Sequence, residues 1–138
     1  MSTPPPPAGP EESATTGAAD RPLVLIVEDE APIAEALAYV VEDSGYRTMV
    51  APDGKAGLAR ALQHRPALIF SDLMMPRMSG PEFIGALRAA LDGAAPPIVL
   101  MTAADPQFAR EAGADSILKK PFELATVEAL LRRFLQTH

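Results

Sequence analysis

The chain has 138 residues, no cysteine, and 18 acidic against 12 basic side chains, a net charge of −6. That length suits one domain with a buried core. The missing cysteines exclude disulfides, thiolate metal sites and cysteine nucleophiles, and the charge has the wrong sign for a surface that tracks a phosphodiester backbone.

Residues 1–22 hold six of the fifteen prolines, and Met1 is their one large apolar side chain. Such a segment cannot offset its ordering entropy, so the expectation is a disordered Pro-rich tail followed by one domain over 23–138. No apolar run reaches the roughly 18 residues of a membrane span, which predicts a cytoplasmic protein that binds neither membrane nor nucleic acid.

From Leu23 onward, apolar runs alternate with amphipathic segments, the rhythm of strand–helix units around a parallel sheet. "LVLIV" (23–27) has the uniform apolarity of a strand covered on both faces. A helix follows, with Pro32 in its first turn, Ile33, Leu37, Val40 and Val41 inward, and Gly45 at its end. "YRTMV" (46–50) is a more polar strand, suited to an edge. The next helix covers about 55–64 with Leu58, Ala61 and Leu62 inward. "ALIFS" (67–71) is the third strand, and Pro81 begins a helix carrying Phe83, Ile84, Leu87 and Leu91. "PIVLM" (97–101) is the fourth strand. "DPQFAREAG" allows barely two helical turns, capped by Asp105. "SILK" (116–119) is the fifth strand, and the last helix spans 123–136 with Leu124, Val127, Leu130, Leu131 and Phe134 inward.

Five such pairs predict a doubly wound α/β domain, a five-stranded parallel sheet with five helices, the fourth short. Right-handed crossovers bring every strand's carboxyl end to one edge, where such sheets bind ligands. That edge collects "EDE" after strand one, Asp72 after strand three, Thr102 after strand four and "KKP" after strand five. Carboxylates gathered from two strands repel, and a hard divalent cation relieves the repulsion. Oxygen donors without a cysteine or a histidine pair select Mg²⁺, with Mn²⁺ possible, over zinc. A carboxylate beside such an ion is a competent nucleophile toward phosphorus, with a lysine and the Thr102 hydroxyl completing the cradle.

Each residue also has an ordinary reading. Asp72 alone would serve as a turn cap, Thr102 as a capping hydroxyl, and Glu28 to Glu30 as a solvated acidic start to a helix. Glu30 reads only as part of that acidic start, and Lys119 as a solvent-facing side chain. Met74, Met75 and Met78 read as loop packing, and His64 and His138 as surface residues.

Taken as a set, "VEDE", "SDLMMPRMSG", "MTA" and "KKPF", in this order and on these elements, resemble the receiver domain of two-component response regulators. The resemblance implies the flavodoxin-like strand order 2-1-3-4-5. It makes Asp72 the phosphoacceptor, supplied by a sensor histidine kinase or phosphotransfer protein. Asp29 and Asp72 become direct Mg²⁺ ligands, Glu28 a ligand through water, and the Met74 backbone carbonyl a further ligand. Thr102 matches the switch hydroxyl, Ala103 its small neighbour, and Lys120 the site lysine, joined to Pro121 by a cis peptide. Two departures stand out: Ile117 occupies the usual aromatic switch position, and only seventeen residues separate Thr102 from Lys120.

The expected function is a stand-alone receiver, monomer or weak dimer, that is not an enzyme and switches binding to a downstream protein. A receiver-like interaction module without switching is the alternative. An aspartate-nucleophile phosphatase is disfavoured because Met74 stands where such enzymes carry a second aspartate. A flavodoxin-type nucleotide domain is disfavoured because no Gly-rich loop follows strand one.

Overall fold

The computed structural model describes residues 21–75, 77–103 and 105–135. The expectations for the tail up to residue 20, Pro76, Ala104, the last residue of the final helix and His138 lie outside the described residues. Five strands and five helices alternate: β1 (Leu23–Val27), α1 (Ala31–Asp43), β2 (Arg47–Ala51), α2 (Gly54–His64), β3 (Leu68–Asp72), α3 (Gly80–Leu91), β4 (Ile98–Thr102), α4 (Pro106–Glu111), β5 (Ser116–Lys119) and α5 (Leu124–Leu135). All neighbouring strands are parallel, in the order β2-β1-β3-β4-β5.

The period-2 geometry of a strand splits each apolar run between two cores. Val24, Ile26, Leu68, Phe70, Val99, Met101 and Leu118 face α1 and α5, where they meet Leu37, Val40, Val41, Val127, Leu130 and Leu131. Leu25, Val27, Ile69, Ile98 and Leu100 face the other way, onto Ala61 of α2, Phe83, Ile84 and Leu87 of α3 and Ala109 of α4. A sheet with helices on both faces explains why the three central strands are apolar on both faces until their carboxyl ends and why β2, at an edge, is not.

β2, β3 and β4 each lie one residue later than their apolar letters indicate. Ladder bonds are made by the backbone, so β3 and β4 run on through the polar Asp72 and Thr102. Pro97 has no N–H to donate and only accepts, from Ile69 at 3.1 Å. Three inward assignments also change. Leu124 is exposed at the start of α5, and Leu62 is exposed on α2. Ile33 is only partly buried, Ala34 taking the inner position on α1. The buried side of α2 is made of Gly54, Gly57 and Ala61. A Cβ built at Gly57 would lie 2.8 Å from Val27 Cγ2, so this helix approaches the sheet too closely for a large inward side chain. The short fourth helix is observed: α4 has 6 residues.

Candidate functional site

The parallel ladder continues one residue beyond the strands and thereby fixes the backbone of the rim. Glu28 donates its N–H to the Ala51 carbonyl at 3.0 Å, Leu73 to Met101 at 2.9 Å, and Lys120 to Thr102 at 2.9 Å. The backbone at Glu28, on either side of the Asp72 carbonyl, and at Lys120 is therefore held by main-chain bonds to a neighbouring strand. Asp72 is 7% exposed, and Glu28 and Thr102 are each 2% exposed. Asp29 and Ala103 are exposed at the same rim.

Lys120 joins the carboxylates. Its ammonium lies 2.9 Å from Glu28 Oε1 and 3.1 Å from Asp72 Oδ1. The other Glu28 oxygen accepts the Glu30 N–H at 3.1 Å. The Lys120–Pro121 peptide is cis. Carboxylate oxygens of Glu28, Asp29 and Asp72 all lie within 4.8 Å of one another.

Electrostatics follow from this crowding. Burial lifts the Asp72 carboxyl above its ordinary range and the Asp29 charge adds to that, while the Lys120 hydrogen bond and charge pull against it. Burial likewise raises Glu28, opposed first by Lys120 and then by the Glu30 N–H. Lys120 is itself desolvated, yet its bonds to Glu28 and Asp72 outweigh that and hold its pKa above the usual lysine value. Three carboxylates and one ammonium leave a double negative charge when all are ionised. All-oxygen donors with that residual charge fit a hard divalent cation.

Glu28, Asp29, Asp72 and Lys120 are thus brought together as their positions in the sequence predict, and Thr102 ends the adjacent strand. Met74 follows Asp72 by two residues with its side chain 74% exposed. Ile117 is not at the rim. It stands opposite Leu100 inside the sheet, partly buried against the α2–α3–α4 core. Two residues that the sequence reading passed over also belong to this neighbourhood. Arg77, in the loop after β3, pairs with Asp53, the N-cap of α2, at 3.1 Å. The sequence signal for Asp53 is the "PDG" at residues 52–54, a turn-forming run directly ahead of α2.

The sequence profile of the response regulator receiver domain matches residues 24–132. The chain belongs to the response regulator receiver family. This receiver is 38% identical over 121 residues to the DNA-binding response regulator MtrA of Mycobacterium tuberculosis H37Rv, covering 82% of this chain and 52% of the relative. It is 38% identical over 118 residues to the alkaline phosphatase synthesis transcriptional regulatory protein PhoP of Bacillus subtilis, covering 80% of this chain and 48% of the relative. The receiver thus spans about half the length of these curated relatives. Among solved structures it is similar to the Vibrio cholerae chemotaxis protein CheY4, with a TM-score of 0.77 and 34% identity over 83% of this chain and 99% of that one.

Proposed function

We propose that this receiver accepts a phosphoryl group on Asp72 from a phosphohistidine of a sensor histidine kinase or phosphotransfer protein, and that the modified state changes its binding to another protein. The observation that supports this most is the Asp72 carboxylate: anchored by β3 at the rim, 3.1 Å from the Lys120 ammonium and grouped with two further carboxylates.

An Asp72 carboxylate oxygen attacks phosphorus. The bond from phosphorus to the donor imidazole nitrogen breaks, and its electron pair stays on that nitrogen. Lys120, already between Glu28 and Asp72, moves its charge toward the new phosphoryl oxygens, and the Thr102 hydroxyl turns to donate to one of them. Asp29, Asp72 and the Met74 carbonyl would hold Mg²⁺ (or Mn²⁺) directly, with Glu28 acting through water. Bound there, the ion supplies charge neutralisation on the phosphoryl oxygens. Met74 and Ala104 carry no side-chain group able to position an attacking water, so the aspartyl phosphate is expected to be long-lived for a receiver. A lifetime of seconds, read by phosphate-affinity electrophoresis after acetyl phosphate labelling, would contradict this.

The chain itself is not an enzyme on this reading, and the domain acts in the cytoplasm as a monomer or weak dimer. DNA binding belongs to the relatives whose names state it. The test of the main reading is labelling by acetyl phosphate, or a spectral response to beryllofluoride, in the presence of Mg²⁺. Wild type should respond and Asp72→Asn should not; identical behaviour of the two would overturn it. The non-switching interaction module is favoured by one observation, the partly buried aliphatic Ile117 where an aromatic reporter is usual. It would be selected by Mg²⁺ binding without any change beyond the site on beryllofluoride addition.

A further inference from the structure

The loop between β3 and α3 carries Met74, whose carbonyl the proposed metal site needs. Its ends are tied by the backbone: Leu73 donates to the Met101 carbonyl, and Gly80 donates to the Leu73 carbonyl, both at 2.9 Å. Its middle is tied to a different element. Arg77 adopts φ of 71°, in the left-handed region that is unfavourable for a residue bearing a Cβ. From that backbone its guanidinium Nη1 reaches Asp53 Oδ2 at 3.1 Å.

Asp53 is held from both sides. Its side chain is 12% exposed, and Oδ1 accepts the Ala56 N–H at 2.9 Å as the cap of α2. That backbone bond first, and the Arg77 charge after it, keep the carboxyl below its ordinary range. One residue further along both segments, a Cβ built at Gly54 would lie 2.7 Å from both Cβ and the carbonyl oxygen of Met78. The loop backbone therefore rests directly on the first residue of α2. An ion pair and a close backbone contact, side by side, fasten the loop there. A left-handed non-glycine residue kept in place by such contacts is a feature the surroundings over-determine.

The geometry points to Arg77 as a positioning residue for the metal: its ion pair with Asp53 holds the β3–α3 loop against α2, and so sets the Met74 carbonyl relative to Glu28, Asp29 and Asp72. The inference rests on the reading of those three carboxylates as a Mg²⁺ site. Its sign is diagnostic. A cation near the site acting through its field alone would oppose Mg²⁺, so removing Arg77 would tighten binding. Acting as a latch, Arg77 makes removal weaken binding although a positive charge is lost.

The experiment is a MgCl₂ titration of the ¹⁵N-labelled full chain, followed at the Leu73 and Gly80 amides, for wild type, Arg77→Gln, Arg77→Lys, Asp53→Asn and the double variant Arg77→Gln with Asp53→Asn. A partly exposed pair cannot transmit more than its own worth, so Arg77→Gln and Asp53→Asn should each raise the dissociation constant about three- to fivefold. Asn caps helices as well as Asp, so Asp53→Asn should do this with little change in melting temperature. The double variant should be no weaker than either single one, and Arg77→Lys should stay within about twofold of wild type. An unchanged or tighter constant in Arg77→Gln, or additive effects in the double variant, overturns the latch while leaving the metal site standing. Absence of a saturable wild-type response, or its persistence in Asp29→Asn, overturns the metal reading and the latch together.

Discussion

At the scale of single residues, the site is a place where the fold accepts electrostatic cost. Asp72 and Glu28 sit above the ordinary carboxyl range because burial disfavours their charge, so the folded chain binds their protons more tightly than the unfolded chain does. Their contribution is fully present in acid and is lost as pH rises through the raised values. Lys120, also raised, contributes at neutral pH and loses its contribution only in strong alkali. Without metal, then, Asp72 is a net burden wherever it is ionised. Asp72→Asn should raise the melting temperature by a few degrees, on the order of 1 kcal/mol, with the difference shrinking as pH falls toward 4. Thermal unfolding by circular dichroism in chelator checks this, and a lower melting temperature at pH 7 would contradict it. Lys120→Met should do the opposite, leaving a buried carboxylate unpaired and destabilising the fold by a few kcal/mol at neutral pH, with partial recovery in acid. Asp72 and Thr102 are legible in the sequence because each ends an apolar strand, whereas Asp29 and Lys120, just past strand ends, are singled out of "EDE" and "KKP" by the resemblance to receiver domains. Arg77 and Asp53 are not legible there, since they lie 24 residues apart and meet only once the α2 cap and a left-handed backbone place them.

At the scale of elements, patterning identifies every strand and helix among the described residues, and the misjudged details have local physical causes. Apolar letters stop before the backbone ladder does, which moved β3 and β4 by one residue onto Asp72 and Thr102. Leu62 was assigned inward on helical periodicity, but the close approach of α2 reserves that side for Gly54, Gly57 and Ala61. α3 shows the reverse, a helix whose local signals all agree. Ser79 accepts the Glu82 N–H at 3.2 Å while Glu82 accepts the Ser79 N–H at 2.9 Å, a complete capping box with Pro81 inside it. Two glycines separate these situations experimentally. Gly85, exposed within α3, has nothing within 4 Å of a built Cβ, so Gly85→Ala should stabilise by about 0.5–1 kcal/mol through helix propensity and unfolded-state entropy. Gly57→Ala forces a methyl toward Val27 and should destabilise by about 1–3 kcal/mol. Urea midpoints at constant m-value report both; a stabilising Gly57→Ala would refute the close packing of α2 on β1.

At the scale of the whole molecule, the proposed switching requires a route from a charge change at the rim to a surface that a partner can bind. The two faces of the sheet differ in how firmly they are built. On one, α1 and α5 bury Leu37, Val40, Val41, Val127, Leu130 and Leu131. On the other, at the β4–β5 end, α4 has six residues and buries Ala109 alone, with Phe108 60% exposed. An element that buries so little apolar area opens at low free energy, and the segments that move in a switch come from that end of the stability range. Thr102 leads directly into it, and Ile117 borders it, opposite Leu100 and partly buried on the same face. An aliphatic side chain needs no partner for a ring or hydroxyl, so its movement costs mainly the apolar area it uncovers. Beryllofluoride with Mg²⁺ should therefore shift amide resonances along residues 105–117 as well as at the rim, and leave α1 and α5 unchanged beyond their ends. Hydrogen exchange in the free protein should already be faster in α4 than in α5. Shifts confined to residues 28–29, 72–80, 102–103 and 120 would mean that the rim acts without moving α4 or Ile117. The output would then have to be read at the rim itself.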